Sequence, residues 1–204
     1  MGETERAAGE GDRRPMRADA RRNYERLVDA ARAVFATQGP DAPMEAIARH
    51  AGVGVGTLYR HFPRRIDLVE AVYRTDVDEL VAAAERAVAE QDPWSALAAW
   101  MSAFLDYARA KRRVLEEIRE AFAKAPDLRL ETRERINAAA QLVLGRAQAA
   151  GVARRDLDGS DLMQLIGPMC MGANLSVEQG ERLIAMVLDG LRATTAASVR
   201  ESSA

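Results

Sequence analysis

The sequence predicts an all-α fold with about nine helices, three short ones followed by about six longer ones. Apolar residues recur at helical spacing along most of the 204-residue chain, and no segment reads as a credible strand. The glycine-rich stretch "HAGVGVGTLYRHF", residues 50–62, separates two short periodic segments, as a tight turn between helices does. These observations favour a small helical unit near the amino terminus.

The amino-terminal part of the chain predicts an arm and three helices. Residues 1–18 are polar without periodicity and are expected to form a disordered basic arm, after which Asp19 caps the first helix. The turn "QGPDAP" ends that helix, and the second is expected to run from Pro43 to Gly52. A third begins near Val55. The apolar and aromatic residues that recur at helical spacing in the first helix are Tyr24, Leu27, Val28, Ala31, Val34 and Phe35.

Longer helices are predicted from Arg64 onward. A proline inside a helix removes one backbone hydrogen bond, so Pro168 is expected to bend the helix that contains it. Other helix starts and stops are expected at Asp92, Pro126, Gly151, Ser160 and Ser176.

The composition is that of an ordinary globular protein, with 48% hydrophobic and 29% charged residues. No stretch approaches the roughly 18 consecutive apolar residues of a membrane helix, and the amino terminus is charged where a signal peptide is apolar. We therefore expect a cytoplasmic protein without a membrane partner. The single cysteine, Cys170, allows no internal disulfide and is expected to be buried and inert, with a redox sensor as the alternative.

The charge is distributed unevenly along the chain. Residues 13–65 carry 11 Arg or Lys against 5 Asp or Glu, whereas residues 66–204 carry 17 against 22. A basic segment joined to an acidic one indicates a polyanion-binding module followed by a module with another task.

The alternating glycines do not fit a phosphate-binding loop. The third glycine of a GxGxxG motif is replaced by Thr57 when counted from Gly52 and by Tyr59 when counted from Gly54. A Walker loop needs a lysine, and none occurs before Lys111. The preceding segment also has helical rather than strand periodicity, so the glycines are interpreted as a helix-turn-helix.

In a helix-turn-helix, the first turns of the second helix enter the major groove of DNA. Gly56 has no side chain and permits a close approach, while Leu58 and Phe62 fall on the opposite face and anchor the helix. The polar candidates on this helix are Thr57, Tyr59, Arg60 and His61.

The segment "IARHAGVGVGTLYRHFPRRIDLVEAVY", residues 47–73, resembles the DNA-binding signature of the TetR family of bacterial transcription regulators. Gly54 replaces the usual Ser of the turn, and Ala42-Pro43 stand where Thr or Ser often caps the second helix. Arg65 replaces the commoner Lys. The matching residues are Ile47, Ala48, Ala51, Gly52, Val53, Gly56, Thr57, Leu58, Tyr59, His61, Phe62, Arg65 and Leu68.

The resemblance implies a DNA-binding domain at residues 19–65 and a helical effector-binding and dimerisation domain at residues 66–198. It implies a homodimer, by family default a repressor, that binds a palindromic operator and is released from it by a small molecule. No cofactor or metal is implied. The expected DNA-binding residues are Val55, Gly56, Thr57, Tyr59, Arg60, His61 and Arg65, with Val55, Thr57 and Tyr59 near bases.

The carboxy-terminal domain contains candidates for an effector pocket and a dimer interface. An effector that is mostly apolar is expected, since the pocket candidates include no evident charge cluster; they are Trp100, Met101, Phe104, Tyr107, Phe122, Met163 and Met169. The candidates for the dimer interface are Leu183, Val187 and Leu191, in the last helix.

Two other functions are compatible with a helical chain. One is a DNA-binding regulator without a small-molecule ligand. The other is a helical enzyme. This alternative is disfavoured because the chain has only two histidines and no HExxH or GxSxG motif.

Overall fold

The structure, a computed structural model, describes residues 13–39, 41–113, 118–119, 122–123, 126–172 and 175–193. These segments contain α-helices and an isolated antiparallel bridge between Ala153 and Arg192, which confirms the predicted all-α class. The eight helices that the described segments define are α1 (Arg13–Gln38), α2 (Met44–Ala51), α3 (Val55–His61), α4 (Arg65–Glu90), α5 (Pro93–Arg113), α6 (Pro126–Ala149), α7 (Gly159–Cys170) and α8 (Val177–Leu191).

Several helix ends fall where the sequence predicts them. Gly52 and Gly151 have φ of +65° and +74°, the left-handed conformation in which glycine ends a helix without strain. The Ser176 hydroxyl accepts a 3.2 Å hydrogen bond from the Gln179 amide at the start of α8. Pro168 lies inside α7, and the bend expected there stays a prediction.

Other helix ends differ from the expected positions. Helix α1 begins at Arg13, before the cap expected at Asp19, while residues 1–12 of the predicted arm lie outside the described residues, as do residues 194–198 of the predicted second domain. Helix α7 begins at Gly159, one residue before the start expected at Ser160, and is capped by Asp158. The Asp158 carboxylate accepts hydrogen bonds from the amides of Ser160 and Asp161, which satisfies two of the free N–H groups at the helix start.

The chain divides into two compact units. The first contains residues up to Thr75 together with residues 113–123, and the second contains residues 76–112 and 124–204. The division therefore falls within α4, which begins in the first unit and ends in the second.

The core of the first unit forms where α1, α2, α3 and the start of α4 meet. Each helix contributes an apolar side chain with no exposed surface: Leu27, Ile47, Leu58 and Leu68. Burial of such side chains is the main contribution that holds short helices in place, because α2 and α3 are too short to be stable alone.

The second unit is built on the aromatic stripe of α5. The Trp100 indole is buried and its Nε1 donates a 3.1 Å hydrogen bond to the Leu80 carbonyl on α4. The Trp100 and Phe104 rings stack at 6.0 Å, and Phe104 lies 5.9 Å from the Tyr107 ring. Helix α7 contacts α6 closely at Gly159, where an added Cβ would lie 2.6 Å from the Gln141 amide nitrogen.

Candidate nucleic-acid interface

The turn between α2 and α3 is closed by backbone hydrogen bonds. The Val53 amide donates to the Ala48 carbonyl at 3.0 Å, as expected after a left-handed helix cap at Gly52. Gly54 is the N-cap of α3, and its carbonyl accepts hydrogen bonds from the amides of Thr57 and Leu58. The turn is thus set mainly by its own backbone, which needs glycine at position 52.

Helix α3 has one buried face and one exposed face. Leu58 is fully buried and Phe62, just beyond the helix, is 3% exposed. On the other face Val55 is 40% and Tyr59 is 42% exposed, although both are large apolar or aromatic side chains. An exposed apolar side chain beside polar ones suits contact with the thymine methyl and base edges of a major groove.

Gly56 and Thr57 lie in the first turn of α3. Gly56 is exposed, and a Cβ added there would meet no atom within 4 Å. No internal packing therefore requires glycine at position 56, in contrast with Gly52. Thr57 is half-buried.

The basic residues at the end of α3 are held by neighbouring groups. The Arg60 side chain is exposed, and its Nε donates a 3.2 Å hydrogen bond to the Gly56 carbonyl. The His61 ring is half-buried and lies edge-on to the Tyr24 ring, with 6.2 Å between the ring centroids. Tyr24 belongs to α1, so α1 contributes an exposed aromatic residue beside α3 that the sequence-based site did not include.

Arg65, at the start of α4, is oriented differently from the other candidates. Its Nη1 donates a 2.6 Å hydrogen bond to the Ala42 carbonyl, and its guanidinium carbon lies 5.2 Å from the centre of the Phe35 ring. Within the described part of the chain, its buried Nη2 has no hydrogen-bond partner. The guanidinium thus faces α1 and the loop before α2.

The pocket candidates are mostly packed in the core of their own unit. In the second unit, Met163 and Met169 lie on α7 and are half-buried. The four candidates on α5 are buried, namely Trp100, Met101, Phe104 and Tyr107. Phe122 belongs to the first unit, where its ring lies 5.3 Å from the Tyr73 ring.

An open groove of about 210 Å³ lies between α4 and α5 in the second unit. Trp100 forms part of its lining, and the charged side chains Arg86 and Glu90 lie at the same groove. The sequence-based pocket shares only Trp100 with this lining, since sequence periodicity identifies buried stripes and not the gaps between helices.

Helix α8 carries the candidates for the dimer interface. Leu183 and Val187 are half-buried, and Leu191 is buried within its own unit. Two apolar residues that the sequence-based interface did not include are more exposed, namely Met186 on α8 at 68% and Leu165 on α7 at 56%. Both could have been suspected from the apolar composition of these helices, but their orientation depends on packing.

Two of the titratable groups in the second unit combine burial with a shifted pKa. Burial, together with the smaller effect of the nearby positive charge of Arg129, lowers the pKa of the Lys111 ammonium to about 8. Burial raises the pKa of the Cys170 thiol to about 11, so this thiol is protonated at neutral pH, as an inert buried cysteine is.

Neither metal clusters nor membrane helices are found among the described residues. No group of His, Cys, Asp and Glu side chains there is arranged to hold a metal ion. None of the described helices is long and apolar enough to cross a membrane.

Two families of known proteins match this chain. Residues 27–72 match the family described as bacterial regulatory proteins, tetR family. Residues 92–193 match the C-terminal domain of SbtR-like transcriptional regulators. Both matches are to regulators and not to enzymes.

Two curated relatives match about 30% of the chain. The HTH-type transcriptional regulator TtgW of Pseudomonas putida is 43% identical over 60 residues, 29% of this chain and 45% of its own length. An HTH-type transcriptional regulator of Staphylococcus aureus is 41% identical over 64 residues, 31% of this chain and 35% of its own length. The chain therefore spans less than half the length of these curated relatives.

Solved structures resemble the chain along most of its length. A TetR transcriptional regulator from Streptomyces coelicolor is 38% identical, with a TM-score of 0.74, over 84% of this chain and 99% of its own. A TetR regulatory protein from Mycobacterium vanbaalenii is 34% identical, with a TM-score of 0.69, over 87% of this chain and 99% of its own. The TetR-like regulator LfrR from Mycobacterium smegmatis, in complex with proflavine, is 25% identical, with a TM-score of 0.62, over 86% and 98%.

The helix-turn-helix geometry and these similarities lead to the same assignment. A relative that is 38% identical and is covered almost completely shares the whole architecture and not only the turn. The chain belongs to the TetR family of bacterial transcriptional regulators and contains that family's DNA-binding helix-turn-helix domain.

Proposed function

We propose that this regulator is a repressor that binds a palindromic operator as a homodimer through α3 and is released by a small molecule bound in the second unit. The observation that carries the proposal is the two-faced character of α3. Its inner face is fixed by the buried Leu58, and its outer face presents Gly56 without any packing reason for a glycine. A bare backbone on an anchored helix suits close approach to DNA.

The side chains of α3 divide by their chemistry. Val55, Thr57 and Tyr59 offer methyl, hydroxyl and phenol groups near the start of the helix, where base edges are reached. Arg60 and His61 lie further along and suit phosphate oxygens. The exposed Arg60 contributes to affinity for any DNA sequence, whereas the methyl and hydroxyl groups of Val55, Thr57 and Tyr59 contribute to specificity.

A dimer explains how such a short helix attains specificity. One recognition helix contacts few base pairs, so a two-fold dimer that reads two half-sites roughly 34–36 Å apart is expected. The exposed Leu165 on α7 and Met186 on α8 support an interface on these last two helices. We therefore propose that α7 and α8 pair with their copies in a second subunit.

An effector in the second unit is proposed from the aromatic residues of α5 and from the family. LfrR, whose structure contains proflavine, is a relative with a bound aromatic molecule. In this chain the groove between α4 and α5 is lined in part by the buried Trp100 and by the charged residues Arg86 and Glu90. A regulator without any effector is the second candidate, since the pocket candidates of α5 are packed rather than open.

The proposal is tested by selection from a pool of random duplex DNA with the full-length protein at a fixed salt concentration. We expect recovery of a palindrome whose half-sites lie about one helical turn apart. Recovery of sequences without two-fold symmetry would contradict the dimeric arrangement, and retention of the DNA without any sequence preference would contradict specific binding.

The effector is tested with the duplex recovered in that selection. A library of small aromatic molecules is screened for release of the bound duplex, and each active molecule is then checked for a saturable rise in the melting temperature of the DNA-free protein. Release without a melting shift would contradict binding to the second unit.

A further inference from the structure

The loop before α2 lacks the side-chain cap that usually fixes the start of a helix. Pro43 is the N-cap of α2 and makes no side-chain hydrogen bond to the helix. Its carbonyl accepts hydrogen bonds from the amides of Ala46 and Ile47, but proline has neither a hydroxyl nor an N–H with which to orient the approaching chain. Another group must therefore fix where α2 begins.

Arg65 supplies a fixed partner to this loop. Its Nη1 donates a 2.6 Å hydrogen bond to the carbonyl of Ala42, the residue that precedes Pro43. The Ala42 amide in turn donates to the Gly39 carbonyl at 3.3 Å, so both backbone groups of Ala42 are held. Ala42 is buried, and a hydrogen bond from a charged donor to a buried carbonyl is stronger than a neutral one.

The Arg65 side chain is itself held by α1. Its guanidinium lies over the Phe35 ring at 5.2 Å, a geometry in which the positive charge is attracted to the aromatic face. Phe35 is only 4% exposed, so this ring is a rigid surface. One side chain thus links the end of α1, the loop before α2 and the start of α4.

The same geometry occupies or buries two nitrogens of the half-buried Arg65 side chain. Nη1 is occupied by the Ala42 carbonyl, and Nη2 has no accessible surface. A phosphate oxygen needs an accessible N–H, so neither of these two nitrogens is available to DNA unless the side chain leaves its site. The exposed Arg60, by contrast, can reach solvent without disturbing the fold.

We propose that Arg65 is a positioning residue that fixes the start of α2 through the Ala42 carbonyl, and is not a ligand of DNA phosphate. This role rests on the proposed DNA-binding function, because α2 supports the recognition helix α3. In this chain a guanidinium from α4 holds the loop that enters α2, where no side chain caps the helix. We expect arginine to be required at position 65, because a lysine ammonium cannot both lie over the Phe35 ring and donate to the Ala42 carbonyl as the larger guanidinium does.

The first experiment measures amide hydrogen exchange in the DNA-free, full-length protein. In Arg65→Met we expect the Ala46 and Ile47 amides to exchange at least about tenfold faster than in the wild type. The Leu27 amide, in the middle of α1, serves as the internal control for general destabilisation. Unchanged exchange at Ala46 and Ile47 would overturn the proposal.

The second experiment measures binding to a 30-base-pair random duplex at several salt concentrations. Loss of a phosphate contact reduces the slope of log K against log [salt] by about 1 for each subunit. We expect this reduction in Arg60→Met and no reduction in Arg65→Met. A reduction of about 1 for each subunit in Arg65→Met would overturn the proposal, whatever the exchange data show.

Arg65→Lys keeps the positive charge and is the substitute variant for both experiments if Arg65→Met does not fold. We expect faster exchange at Ala46 with an unchanged salt slope, whereas a phosphate ligand would leave exchange unchanged. If no variant and no wild-type protein binds the duplex, the proposed function fails, but exchange in the DNA-free protein still decides whether Arg65 fixes α2.

Discussion

The rings of Tyr24 and Phe62 pack against each other with 5.1 Å between their centroids and 37° between their planes. Tyr24 lies on α1 and Phe62 directly follows α3, so this pair joins the two helices at the end of the recognition helix. Phe62 is 3% exposed, whereas Tyr24 keeps 39% of its surface exposed. The two rings therefore contribute unequally to stability.

Phe62→Ala is expected to lower the free energy of unfolding by about 3–5 kcal/mol, because it removes a fully buried ring and leaves a cavity. Tyr24→Ala is expected to cost less than half of this amount, since its ring is already partly in water. Denaturation in urea measures both. An equal cost for the two variants would show that the packing of Tyr24 is underestimated.

Gly56→Ala is expected to separate DNA binding from folding. An alanine Cβ meets no atom within 4 Å at this position, and alanine favours a helix over glycine, so stability is expected to rise by up to about 1 kcal/mol. Affinity for the selected operator is expected to fall at least about tenfold, because the new methyl group occupies the space where DNA approaches. Unchanged affinity would remove Gly56 from the interface.

Gly52→Ala is the matched control in the same turn. With φ at +65°, an alanine at position 52 adopts a left-handed conformation that costs about 1–2 kcal/mol. Its Cβ would also lie 2.8 Å from Nη2 of Arg26, which must move. Both thermal unfolding and DNA binding are therefore expected to suffer in this variant, in contrast with Gly56→Ala.

Gly159→Ala is expected to destabilise the second unit. The added Cβ would lie within 3.0 Å of backbone atoms of Gln141 and Asn137, and backbone cannot yield as a flexible side chain does. A loss of about 1–3 kcal/mol is expected. Gly190→Ala, where the added Cβ meets nothing within 4 Å, is the control and, like Gly56→Ala, is expected to be as stable as the wild type or slightly more stable. Equal melting temperatures for the two variants would contradict the close contact of α7 with α6.

The lowered pKa of Lys111 predicts that the stability of the protein depends on pH in the alkaline range. Its pKa is about 8 in the folded protein and near 10.5 in the unfolded chain, so between these values the unfolded state binds more protons. Stability attributable to this group therefore rises as the pH rises from about 8 to 10.5. Over that pH range, the free energy of unfolding of the wild type is expected to rise relative to that of Lys111→Met, as measured by denaturation. Parallel curves for the two proteins would show that the ammonium is not desolvated.

The sequence predicted the helix-turn-helix because local signals and packing agree there. Gly52 ends α2 with the backbone conformation that glycine favours, and Leu58 and Phe62 lie four residues apart on the face that becomes buried. The start of α3 at Val55 follows from the same pattern. Local periodicity is sufficient where it sets both the turn and the core.

The orientation of Arg65 could not be predicted in this way. Its partners, Ala42 and Phe35, are 23 and 30 positions away in the chain, and only tertiary packing brings them to the guanidinium. The exposure of Leu165 and Met186 has the same origin, because apolar residues on a helix look alike in sequence whether they face the core or solvent. The start of α7 was predicted one residue late, at Ser160, because serine and aspartate are both common at helix starts and the sequence alone does not choose between Asp158 and Ser160.

The central claim is that α3 reads the DNA sequence, and Thr57→Ala tests it most directly. The measurement is the ratio of affinities for the selected operator and a random duplex of equal length, at one fixed salt concentration, for the wild type and the variant. We predict that the ratio falls at least about tenfold in Thr57→Ala, because a base contact is lost and phosphate contacts remain. Equal losses of affinity on both duplexes, with an unchanged ratio, would contradict the claim.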